Sequence, residues 1–234
     1  MATRRIIKDK DSGQIVIGTR RTARNITMRV RPDGLHVTVP PYSKTEKVMA
    51  TLETFRERLL EQYRKVEIRP IDFSYAIRTA CFRLWLEPSP LKCFTLKQTG
   101  EGICICCPAD VDFSCEQVQK LVRAAILRAL KKSAGSYLPP LLEALAERYG
   151  FSYRKVKITG ARSRWGSCSA AGTISLSCYL MLLPPHLMDY VLLHELSHTK
   201  EMNHGPRFWE LLDSLTEGKA LSLRAELRNY RPAF

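Results

Sequence analysis

His194-Glu195-Leu196-Ser197-His198 sits inside an apolar run of helical spacing that begins at Pro184-Pro185. Residues four apart on a helix share one face, so both imidazoles can reach a single zinc ion, at about 2.0–2.1 Å each. Glu195 directly follows His194 and points about a quarter-turn away. That places it beside the metal, where it can take a proton from a water held there. The bland alternative is a core helix whose histidines are neutral and structural.

A catalytic zinc takes three protein ligands and keeps a fourth position open. His204 supplies the third. It precedes Gly205-Pro206, and proline favours the first turn of a helix, so a new helix starts there. The chain would leave the metal helix near Lys200, turn through Glu201-Met202-Asn203 and bring His204 back. His186 lies about two turns before His194, too far along the axis, and His36 reads as an ordinary strand residue.

Upstream, Arg162-Ser163-Arg164-Trp165-Gly166-Ser167-Cys168-Ser169 joins two strand-like runs, Tyr153–Thr159 and Thr173–Ser177. Arg164 is a candidate for holding an oxyanion or a substrate carboxylate. It could equally pair with a nearby acid. Trp165 reads as packing on the metal helix, and Cys168 as a residue the three histidines make unnecessary as ligand or nucleophile. Thr173–Ser177 alternates Thr-Ile-Ser-Leu-Ser, which suggests an edge strand facing the site, with Ser175 alongside an added substrate strand. Tyr153–Thr159 would be its neighbour in a small antiparallel sheet.

The rest of the chain supplies the frame. Strand-like runs at Gln14–Ile17, Asn25–Arg31 and Leu35–Val39 include a hairpin across Pro32-Asp33-Gly34. A helix is expected over Lys44–Lys65, capped by Ser43 and Glu46. Strands follow at Cys81–Leu86, Cys93–Gln98 and Ile103–Cys107. Ser114 and Gln117 cap a helix, and Pro139 opens another that stops at Gly150. The expected architecture is α+β: a β-rich region over 1–112, then a helical metallohydrolase domain over 113–234.

Composition excludes several classes. Hydrophobic residues make up 45% and charged residues 26%, as in ordinary globular proteins. No apolar run is long enough to span a bilayer, and no apolar stretch follows the basic start, so a cytoplasmic protein is expected. The eight cysteines then read as reduced, with Cys104, Cys106 and Cys107 packing within a strand. Net charge is +14, and residues 1–32 hold nine Lys or Arg against two Asp. That surplus could serve a nucleic acid, or it could be a solvated face.

Arg162–Cys168, then His194–His198, Asn203-His204 and Phe208-Trp209 resemble the YgjP-like metallopeptidases, which are related to the SprT and WLM groups of zincins. Arg20-Arg21, the Val30–Gly34 turn and Val39-Pro40-Pro41 resemble that family's N-terminal strands. The resemblance is strong over 155–210 and looser over 65–135. It implies a zincin-type α+β fold, His194, His198 and His204 as zinc ligands, and Glu195 as the catalytic acid/base. It implies no particular substrate. Thr216–Leu221 departs from the basic, tyrosine-bearing tail usual in the family. Three functions are therefore weighed: a zinc peptidase, a zinc hydrolase of nucleotides, and a zinc-stabilised module without activity. An acid beside the metal argues against the third.

Overall fold

The computed structural model describes residues 4–9, 13–31, 34–65 and 71–230. The chain divides into two compact units, 1–69 and 70–234.

In the first unit, β1 (Arg4–Asp9), β2 (Gly13–Thr19), β3 (Thr27–Arg31) and β4 (Gly34–Val39) form a sheet of order β1-β2-β4-β3. β3 and β4 pair antiparallel, as a hairpin requires; Pro32 and Asp33 of the expected turn lie outside the described residues. Alternation decides the core. Ile15, Ile17, Leu35, Val37 and Val39 point to one face and bury with Val48 and Leu52. The expected single helix is two, α1 (Thr45–Thr54) and α2 (Arg56–Lys65), divided at Phe55. Ser43 does not cap α1, because its hydroxyl donates to the Pro40 carbonyl at 2.9 Å instead.

The second unit begins with a sheet of order β5-β6-β8-β7, built from β5 (Ala76–Arg78), β6 (Arg83–Ser89), β7 (Thr95–Gln98) and β8 (Ile103–Pro108). α3 (Glu116–Tyr149) crosses it. Leu84, Ile105, Val122, Ile126 and Leu130 belong to one continuous core with the helices that follow. The compact division therefore falls at 69/70, not near residue 112, because this sheet shares its interior with the metal helix's neighbours. All eight cysteines are free, with Cys104 and Cys107 buried in β8.

α3 runs through Pro139 and Pro140 where a helix break was expected. Ala134, Leu138, Leu142 and Ala146 continue a buried stripe at four-residue spacing. Burying a leucine contributes about 1.5–3 kcal/mol, so Leu130, Leu138 and Leu142 together are of the same order as the roughly 6 kcal/mol that two interior prolines cost at ~3 kcal/mol each. Gly150 ends the helix in the left-handed region, φ 64°. Ser114 is no cap here either, because its hydroxyl donates to Asp112 Oδ1 at 2.7 Å.

A small sheet then carries the site: β9 (Lys155–Thr159), β10 (Gly166–Cys168) and β11 (Thr173–Ser177), in the order β10-β11-β9. β11 pairs antiparallel with β10 and parallel with β9, so the sheet is mixed. Thr173–Ser177 is thus its central strand. The expected edge, and with it the placement of Ser175 beside substrate, does not hold: Ser175 faces Ser167 on one side and Lys157 on the other. The cause is β10, three residues within a segment whose sequence reads as a connection. A 3-10 turn at Cys178–Leu182 leads to α4 (Pro185–Ser197), α5 (Pro206–Leu215) and α6 (Ala220–Leu227). No helix among the described residues is long and apolar enough to cross a membrane.

Candidate metal centre

Pro185 starts α4, and Leu187, Leu192 and Leu196 anchor it with no exposure at all. The opposite face is then held fixed against the small sheet and α5. His194 and His198 stand one turn apart on it. The helix ends at Ser197, a little before Lys200, and Glu201 N closes the turn on Ser197 O at 2.9 Å. Gly205-Pro206 opens α5, which returns His204 to the other two histidines.

One ligand atom from each of His194, His198 and His204 lies within 4.8 Å of the others. The Nε2 atoms of His194 and His204 face each other at 3.1 Å. Two nitrogens bound to one tetrahedral zinc stand roughly 3.3–3.4 Å apart, so this spacing suits a shared cation. His198 Nδ1 lies 3.1 Å from the Glu201 carbonyl. Donating there leaves its Nε2 lone pair for a metal. The ring of Phe208, fully buried, supports all three imidazoles, with centroids 4.6–4.9 Å away. Burial, reinforced by His198, His204 and Arg224, pushes His194 down to about 3. Burial lowers His204 as well, with His198 and Arg224 adding to it. Neutral imidazole is the form that binds metal. The donor set fits zinc.

Glu195 is 5% exposed, and its Oε2 is buried without a hydrogen-bond partner. Burial raises its carboxyl to about 7, against an opposing pull from Arg164. Gly166 of β10 lies against it so closely that a Cβ there would stand 2.5 Å from Glu195 Oε1. Trp165 O accepts from Ser177 N, and Ser169 N donates to Thr173 O. Hydrogen bonding alternates along an antiparallel strand, so the backbone groups of Gly166 and Cys168 point away from β11. No strand pairs with that side of β10 among the described residues.

Arg164 is exposed and has no acid partner among the described residues, yet its charge bears on Glu195. Cys168 is partly buried and stands outside the histidine cluster; burial first, and Glu195 second, raise its thiol, which disfavours the nucleophilic thiolate. His186 also lies outside the cluster, with Nε2 2.8 Å from Glu226 Oε1. His36 belongs to β4 of the first unit.

Sequence reasoning missed a cleft of ≈ 290 Å³ beside the histidines, whose walls include Trp165, Tyr190, Trp209 and Arg224. Tyr190 had a signal, since it lies four residues before His194 on the same helix face. Arg224 had none: it comes from α6, and its guanidinium lies 5.0 Å from the centre of the Trp209 ring.

Comparison with known proteins bears on this geometry. No curated protein matches the chain. Among solved structures, the crystal structure of the metallopeptidase zymogen of Pyrococcus abyssi abylysin is 26% identical, over 38% of this chain and 90% of that one, with a TM-score of 0.35. Residues 24–230 match the family described as YgjP-like, metallopeptidase domain. With nearly its whole length covered, histidine cluster included, the chain belongs to the YgjP-like metallopeptidase family.

Proposed function

We propose that the chain hydrolyses peptide bonds with a zinc ion held by His194, His198 and His204, and with Glu195 as the proton carrier. The observation that carries this reading is the meeting of three imidazoles with a buried carboxylate whose Oε2 has no partner. A closed structural zinc site takes four Cys or His ligands, and no fourth joins these three among the described residues. When bound, zinc supplies Lewis acidity, which draws charge from a carbonyl oxygen and makes nearby water nucleophilic around neutral pH. Glu195 accepts the proton of the attacking water and returns it to the amine nitrogen as the C–N bond breaks. Arg164, whose charge bears on Glu195, offers a donor to the charge that develops on the carbonyl oxygen. Substrate lies extended along β10, pairing with the outward backbone groups of Gly166 and Cys168. Family membership favours peptide over phosphoanhydride bonds.

Two variants test the reading. Glu195→Gln keeps about one equivalent of zinc, because Glu195 is not a ligand, and loses about 10²-fold or more of its hydrolysis. His204→Ala loses the zinc. An equally active Glu195→Gln protein refutes the mechanism, and a His204→Ala protein with full zinc affinity refutes the ligand set.

A further inference from the structure

The cleft next to the histidines has a composition that selects its occupant. Of its lining residues Glu195 is the one acid, and Arg224 the one Lys or Arg. Glu195 is buried and, on the peptidase reading, committed to the reacting centre. Val191, Leu227, Trp165 and Trp209 make the walls apolar. Its ≈ 290 Å³ is at the small end for a ligand site, suited to one residue of a bound chain.

Arg224 has no carboxylate partner among the described residues, although acids stand on its own helix and the one before it. Glu226 is held by His186 at 2.8 Å, and Asp213 Oδ1 accepts the Ala220 N–H at 3.0 Å. What Arg224 does have is the face of Trp209. A guanidinium against an aromatic ring is oriented while its N–H edge stays available, and that planar fork matches a carboxylate. Its charge also reaches His194 and His204, so it stands beside the reacting centre rather than at a distant rim.

We propose that this cleft binds a carboxylate of the peptide substrate, with Arg224 as the residue that selects it. This rests on the peptidase reading above. The carboxylate has two possible sources, the C-terminus of a short peptide or the side chain of an Asp or Glu next to the scissile bond.

The test uses two matched peptide pairs on the zinc-loaded full chain. One pair shares a sequence and differs in a free or amidated C-terminus. The other is blocked at both ends and carries Glu or Gln after the cleaved bond. The expected ratio of kcat/KM, charged over neutral, is about tenfold or more in one pair, the scale of a charge-assisted hydrogen bond. The pair that shows it identifies the source. In Arg224→Gln the ratio falls towards one, and in Arg224→Lys, which keeps the charge without the fork, it lies between. A wild-type ratio near one in both pairs overturns the proposal. So does an Arg224→Gln protein that loses the same factor on charged and neutral peptides, which assigns Arg224 to the transition state or to the fold. Binding of the same four peptides to Glu195→Gln protein, read by tryptophan fluorescence, separates the two readings. Selective binding of the charged peptides with no hydrolysis by the wild type sinks the peptidase reading alone. Hydrolysis without selectivity in rate or binding sinks this proposal alone, and neither hydrolysis nor selective binding sinks both.

Discussion

Replacing Gly166 by alanine adds one carbon at the most constrained point of the candidate site. The new Cβ would lie 2.5 Å from Glu195 Oε1, 2.6 Å from Cγ and 2.7 Å from Cδ. Carbon contacts settle at about 3.5–4.0 Å, so three atoms overlap by roughly an ångström. Something must move, and the three nearest atoms all belong to the Glu195 side chain. Its carboxylate therefore yields before the strand does. Overpacking costs typically about 1–3 kcal/mol, and because the atoms that clash belong to a side chain rather than to backbone, about 1 kcal/mol is expected here. For a chain of this size 1 kcal/mol corresponds to a shift in Tm of about 2–4 °C. A catalytic group displaced by about 1 Å costs about 10²-fold in rate. Gly166→Ala protein is thus expected to keep its zinc, to lose only about 2–4 °C in Tm, and to lose about 10²-fold in chelator-sensitive peptide hydrolysis. Elemental analysis, thermal unfolding and a peptide-library assay measure the three quantities. Full activity in this variant would refute the placement of Glu195 as the proton carrier, and loss of zinc would mean the disturbance spreads to His194.

Three further expectations concern the same centre. Phe208→Ala removes the ring beneath all three imidazoles and should cost about 3–5 kcal/mol, with weaker zinc binding; a normal Tm with full zinc content counts against that supporting role. Cys168→Pro deletes one outward N–H of β10, so kcat/KM for peptides should fall from a few-fold to about tenfold while zinc is retained, and unchanged turnover removes β10 as the substrate edge. Chelation should lower Tm, with recovery on adding zinc but not magnesium, whose preference is for oxygen ligands; a Tm indifferent to chelator contradicts a resident metal.

The histidine cluster was legible because its signals are local. Helical spacing aligns His194 with His198, and Gly205-Pro206 marks the helix start that returns His204. The hairpin of β3 and β4 was equally local, carried by alternation. What escaped the sequence depends on contacts distant along the chain. β10 is too short for alternation to register, and the parallel pairing of Thr173–Ser177 with Lys155–Thr159 requires a register that no turn encodes. The run of α3 through Pro139 is set by the stripe it buries, which outweighs local propensity. Ser43 and Ser114 have the right residue type for caps, but nearby oxygens at Pro40 and Asp112 take their hydroxyls first. Arg224 comes near His194 only once α6 has packed, so no spacing rule could point to it.

α3 is 34 residues long, about 51 Å from end to end, and one buried stripe of it touches both the β5–β8 sheet and the elements around the histidines. Val122 and Ile126 sit in the same continuous interior as Ile105 and as Leu192 of α4. A shared interior of this kind makes unfolding cooperative: neither sheet can open without exposing the side of α3 that the other needs. Trp85 lies on β6, while Trp165 and Trp209 line the cleft. These tryptophans should therefore report one denaturation midpoint, and strain introduced among residues 76–108 should lower the population of the folded histidine cluster.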